Sequence, residues 1–82
     1  MDRFEYIAPV FGETLQKFRQ AKGLSQESLA LTCGRDRTYI SMLERGKRQP
    51  TLETIFRLAE GLEVAPSELV IAVEAGLARR KR

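Results

Sequence analysis

Between residues 35 and 50 the chain reads RDRTYISMLERGKRQP, where Arg35, Arg37, Arg45, Lys47 and Arg48 face only two acids, Asp36 and Glu44. Thr38, Tyr39, Ser41 and Gln49 stand among them, so the stretch is dense in hydrogen-bond donors on long or hydroxylated side chains. Cations, hydroxyls and amides at this spacing bind anions; they do not make a catalytic centre. The 82 residues contain no histidine and one cysteine, which removes the usual general base, the commonest zinc ligand and any intramolecular disulfide. A triad, a structural zinc and a phosphate-cradling glycine loop are all missing, so the expectation is no enzyme, no metal and no cofactor.

Charge is gathered rather than spread. Residues 35–48 carry a net +3, the ending Arg79, Arg80, Lys81, Arg82 carries +4, and the remainder sums to −4 within an overall +3. Such gathering suits a polyanionic partner. No apolar run approaches the roughly 20 residues of a membrane span, and MDRFEYIAPVFGE has no signal-peptide character, so a cytoplasmic location without membrane attachment is expected.

The elements that must position these cations are helical throughout. Apolar residues recur at three and four, no strand alternation appears, and glycines and prolines punctuate the pattern. The spacing predicts an all-α single domain, residues 1–82, with helices over about 9–22, 25–32, 36–45, 51–62 and 66–78 and a solvated basic tail at 79–82. Pro9 suits a first helical turn, and Gly23 ends the first helix. Ser25, Asp36 and Thr51 are N-cap residues, and Leu24 with Leu29 has the spacing of a hydrophobic staple. Cys33 reads as a small core residue beside the Gly34 turn. In the fourth helix Leu52, Ile55, Phe56, Leu58, Ala59 and Leu62 form the widest apolar face and are expected in the core. The fifth carries Leu69, Val70, Ile71, Val73 and Leu77 on more than one face. That is more apolar surface than a small monomer covers, and Leu69, Val70, Val73 and Leu77 are expected against a second copy.

The third helix answers differently. Its inward stripe needs only Ile40 and Leu43, flanked by Tyr39, which leaves Arg37, Thr38, Ser41, Met42 and Arg45 on the other faces. A short capped helix, a glycine-containing turn and a second helix with a long cationic outer face make a helix-turn-helix, and that face can enter a DNA major groove about 12 Å wide. Arg37, at the leading end, can offer its planar fork to guanine O6 and N7. Thr38 and Ser41 can serve a base, a phosphate or the preceding turn. Tyr39 can stack in the core with its hydroxyl on a phosphate, and Arg45, Lys47 and Arg48 lie where a helix end and loop would follow the phosphate backbone.

Residues 15–70 resemble the Xre/Cro family, the lambda-repressor-like DNA-binding domains. The markers are R..KGLSQE.LA from Arg19 to Ala30, YIS.LERGKR.PTLETI..LA..L from Tyr39 to Leu62, and V.PSEL from Val64 to Leu69. With DRTYIS..ER in the third helix, the chain looks most like the small controller proteins of restriction-modification systems. The resemblance implies a compact five-helix bundle that dimerises through its last helix and binds a palindromic operator in double-stranded DNA. It implies that Gln26 grips phosphate, that Arg37, Thr38, Ser41 and Met42 face base edges, and that Arg19 pairs with Glu44 beneath the surface. Met42 departs from the polar residue many members carry; a thioether can touch a thymine methyl or fill a gap but cannot donate to a base. The function implied is a homodimeric, sequence-specific regulator of transcription, acting through operator occupancy, cooperative binding or contact with RNA polymerase. The alternative is an antitoxin-like protein of the same fold that neutralises a protein partner.

Overall fold

Three polar residues start three helices in the computed structural model, which describes residues 2–80. Ser25 Oγ accepts from Ser28 N at 3.0 Å, Asp36 Oδ1 from Tyr39 N at 3.0 Å, and Thr51 Oγ1 from Thr54 N at 3.1 Å. Each satisfies one of the backbone donors that a helix start leaves unpaired. The five α-helices are α1 (Ile7–Ala21), α2 (Gln26–Cys33), α3 (Arg37–Glu44), α4 (Leu52–Leu62) and α5 (Pro66–Arg80), and the described residues contain no strand. α1 packs on α3 and α5, α2 on α3 and α4, and α4 on α5, around a core that includes Phe11, Leu15, Leu29, Cys33, Ile40, Leu43, Leu58, Leu62 and Leu69. Burial pushes the Cys33 thiol pKa up, against the opposing pull of the Arg57 and Arg35 charges.

The turn that sets α3 against α2 depends on Gly34. Its φ of 69° lies in the left-handed region, and Arg35 N closes back on Ala30 O at 3.0 Å. Glu63 holds the same conformation at the end of α4 without a glycine's freedom; its carboxylate takes Lys22 Nζ at 2.9 Å, a hydrogen bond that lowers its pKa and ties α4 to α1.

Gly12 decides how closely α1 approaches α3. A Cβ there would stand 2.6 Å from the Glu44 carbonyl oxygen, and backbone cannot swing aside as a flexible side chain would. Gly12→Ala is therefore expected to destabilise the fold by roughly 1–3 kcal/mol through overpacking, despite the ~1 kcal/mol that alanine contributes to helix propensity. Urea denaturation measures it, and an unchanged or raised midpoint would show that the two helices can part freely.

Four expectations are corrected. A 3-10 turn, Arg3–Tyr6, precedes α1 and runs straight into it, so the helix begins before Pro9; Asp2 Oδ1 caps the turn by accepting from Phe4 N at 3.0 Å. α5 continues through Arg79 and Arg80, which are exposed but helical and so no part of a tail; Arg80 Nη2 meets Glu13 Oε2 at 2.6 Å and its guanidinium lies over the Tyr6 ring. Lys81 and Arg82, the rest of that tail, fall outside the described residues. Leu52 and Phe56, expected in the core, are exposed. The buried stripe of α4 runs through Thr54, Leu58, Ala59 and Leu62, and a residue two positions from Thr54 is carried about 200° round the helix. Leu69, expected at a face between copies, is fully buried in this chain's own core. It follows Val64 at the start of α5, where the chain turns back onto α4.

Candidate nucleic-acid interface

α3 is held to the bundle by little apolar area, since only Ile40 and Leu43 are buried along it. A polar network adds to this anchorage and to the packing of half-buried Tyr39. Arg19 of α1 donates through Nε to Glu44 Oε2 and through Nη2 to Glu44 Oε1 at 3.1 Å, while its Nη1 reaches Leu24 O at 2.8 Å. Gln26 Nε2 donates to the same Glu44 Oε1 at 3.0 Å. The Glu44 side chain is 3% exposed and that of Arg19 12%, so the pair lies largely out of water. The hydrogen bond to Glu44 raises the Arg19 pKa further, outweighing the lowering effect of burial. Arg19 and Glu44 thus join α1 to α3, and through Leu24 O and Gln26 they also fix the entry to α2.

Gln26 does more than its sequence position implies. Glu44 can only accept, so the amide nitrogen of Gln26 must turn toward it and the amide oxygen away. That oxygen receives Arg37 Nη1 at 3.4 Å, which brings the leading residue of α2 to the leading residue of α3. Arg37 and Thr38 are exposed; Ser41 and Met42 are half-buried on the outer side of the helix. Arg45 closes α3, its Nε 3.4 Å from Ser41 O, and Lys47 N bonds to Met42 O at 2.9 Å as the chain enters the loop. Arg45, Lys47 and Arg48 are all exposed.

Tyr39 is half-buried against the core, and two guanidinium groups lie over its ring: Arg35 with its carbon 4.3 Å from the centroid and Arg48 at 5.8 Å. Arg35 was counted in the basic stretch but given no role by its position between helices. Its placement on the ring had no signal in the sequence, because Arg35 lies in the turn before Asp36 caps α3, where helical spacing does not apply.

Among the described residues the ion pairs engage Arg19, Lys22, Arg57 and Arg80. None engages Arg35, Arg37, Arg45, Lys47 or Arg48. Carboxylates pair with Arg19, Lys22, Arg57 and Arg80 elsewhere on the molecule, while the five cations on and beside α3 form an uncompensated strip. Such a strip attracts a polyanion and remains available to it.

A second surface lies along α5. Phe4, Ile7, Phe11, Pro50, Ile55, Val70, Val73 and Leu77 line an apolar groove of about 420 Å³. Of the residues expected at a face between copies, Val70 is exposed and Val73 and Leu77 are half-buried there. Phe4, Ile7 and Pro50 on its opposite wall were not foreseen, because only the folded chain brings the first turn and the loop after α3 beside α5.

Comparison with known proteins agrees with this architecture. The helix-turn-helix family model matches residues 15–69. The control protein C.BamHI of Bacillus amyloliquefaciens is 36% identical over 77 residues, covering 93% of this chain and 95% of that protein. The crystal structure of the restriction-modification controller protein C.AhdI from Aeromonas hydrophila superposes with a TM-score of 0.73 at 47% identity, over 76% of this chain and 94% of that one. The controller C.Esp1396I, crystallised as a tetramer in complex with its natural 35 base-pair operator, superposes with a TM-score of 0.79 at 30% identity, over 89% of this chain and 96% of that one. The matched span contains both helices of the two-helix unit, the Arg19–Glu44 pair and the basic loop, and this chain belongs to the helix-turn-helix family in its Xre/Cro form.

Proposed function

We propose that this chain is a homodimeric, sequence-specific DNA-binding regulator of transcription, of the type that controls restriction-modification systems, with no catalytic role. The observation that carries the reading is the strip of five cations on and beside α3, none of them paired with a carboxylate among the described residues. The likeness to control proteins, one of them crystallised on its operator, supports it.

In this reading α3 lies in the major groove. Arg37, Thr38 and Ser41 face base edges, and Gln26, Tyr39, Arg45, Lys47 and Arg48 hold the phosphates that fix register. Val70, Val73 and Leu77, with Phe4 and Pro50 across the groove, meet a second copy. A dyad through that face sets two recognition helices about 34 Å apart, on successive major grooves of an approximately palindromic site. Concentration is then an input, since only the dimer reads both half-sites. RNA polymerase is the further partner through which a bound dimer would act, in the cytoplasm. No helix among the described residues is long and apolar enough to cross a membrane.

Selection of bound duplexes from a random pool tests the reading. The expected product is one site of two-fold symmetry with half-sites about one helical turn apart. A selected duplex held no more tightly than its scrambled sequence at physiological salt would overturn it. Val70→Glu tests the face. Val70 is exposed, so the variant should keep its helix content while sedimenting as a monomer and losing operator affinity by about a hundredfold or more, since one half-site forgoes the other's contacts. An unmoved sedimentation coefficient would place the dimer face elsewhere.

A further inference from the structure

We infer that Arg35, outside the recognition helix, is a DNA-backbone-binding residue, and that the Tyr39 ring is the platform on which Arg35 and Arg48 are set to grip the same phosphate strand. The inference rests on the regulator reading and adds a site to it. Arg35 is fixed at both ends. Its backbone is pinned where α2 closes, through Arg35 N to Ala30 O at 3.0 Å, and its guanidinium lies over Tyr39 at 4.3 Å. Arg48 reaches the same ring from the loop after α3, at 5.8 Å.

Two cations beside one ring repel each other. The negative face of the ring attracts each of them, and its plane restricts both to few orientations. The acids nearby are committed elsewhere. Asp36 Oδ1 accepts from the Tyr39 backbone N–H, and Glu53, which borders the same shallow depression as Arg35, pairs with Arg57 at 2.9 Å. The positive charge on the ring therefore has no internal counterion among the described residues. A phosphodiester backbone supplies closely spaced negative charge along its length, and preoriented guanidinium forks bind it at a small cost in side-chain entropy. Because Arg35 follows the end of α2 and Arg48 the end of α3, the pair also brackets the recognition helix and would fix its tilt on the duplex.

The test is a set of fluorescence anisotropy titrations of the full chain at stepped salt concentrations, on a duplex selected from a random pool and on its scrambled counterpart. Arg35→Ala should weaken both duplexes by the same factor, roughly five- to tenfold per bound chain, and lower the slope of log affinity against log salt by about one unit per chain. Arg35→Lys should restore the slope but only part of the affinity, because lysine keeps the charge and lacks the planar stack. In a Tyr39→Leu background, Arg35→Ala should cost less than half of its wild-type factor, since the platform is already gone. An unchanged slope in Arg35→Ala, with wild-type binding salt-dependent, overturns the proposal alone. A full-sized Arg35 effect in the Tyr39→Leu background removes the platform. A wild-type chain that binds neither duplex overturns the proposal together with the regulator reading.

Discussion

Glu44→Ala should cost about 3–5 kcal/mol of folding stability, the expected penalty for leaving one member of a buried ion pair alone. An 82-residue domain has on the order of 4–12 kcal/mol in total, so the loss is about a quarter of that stability or more. The size of the effect follows from geometry. Glu44 accepts two donors from Arg19 and one from Gln26, and its side chain is 3% exposed, so water cannot replace it. Without it Arg19 keeps only Leu24 O, and Gln26 loses the group that orients its amide. Removing both charges together, as Arg19→Met with Glu44→Leu, should return much of the loss, because no charge is then stranded. Urea denaturation of the three proteins measures this. A loss under about 1 kcal/mol in Glu44→Ala would mean that the pair behaves like an exposed one.

Arg37→Ala should act on the other side of α3 and leave stability nearly untouched, since its side chain is exposed and its hydrogen bond to Gln26 is a long one. Affinity for the selected site should fall by about 1–3 kcal/mol per half-site, hence about 2–6 kcal/mol for a dimer that uses both copies, with preference relaxed at one base pair in each half. Binding curves on the selected site, on single-base variants of it and on scrambled duplex separate the roles. Loss confined to the selected site marks base readout; equal loss on every duplex would reduce Arg37 to a phosphate contact. The two variants also test independence. Glu44 sits behind the helix and Arg37 in front, joined only through Gln26, so a residual coupling between them would measure how far that amide transmits order from the buried pair to the reading face.

The amino-acid sequence by itself determined where α2, α3 and α4 start. Ser25, Asp36 and Thr51 cap by local bonds to the backbone three residues on, and Gly34 supplies a conformation that side chains disfavour; neither depends on distant residues. The narrow apolar stripe of α3 was equally legible, because a helix that buries only Ile40 and Leu43 must turn Arg37 and its neighbours outward. The resemblance to a known family added what spacing alone does not yield, the pairing of Arg19 with Glu44 across 25 positions.

Tertiary structure decided the rest, and the failures share one cause. An apolar residue on a helix has a direction relative to its own neighbours, but which direction is inward depends on where the other helices lie. Leu69 looked available to a second copy and Phe56 looked buried until the packing of α4 on α2 and α5 reversed both. Arg79 and Arg80 looked like a tail until Glu13 and Tyr6, more than sixty positions earlier, gave Arg80 partners at the end of an α5 two residues longer. Gln26 became the link between a buried carboxylate and the reading arginine only once α1, α2 and α3 met. Local hydrogen bonds and steric limits are written residue by residue, whereas burial and long-range partnership belong to the assembled bundle, because they are set by what closes over a side chain and not by the side chain itself.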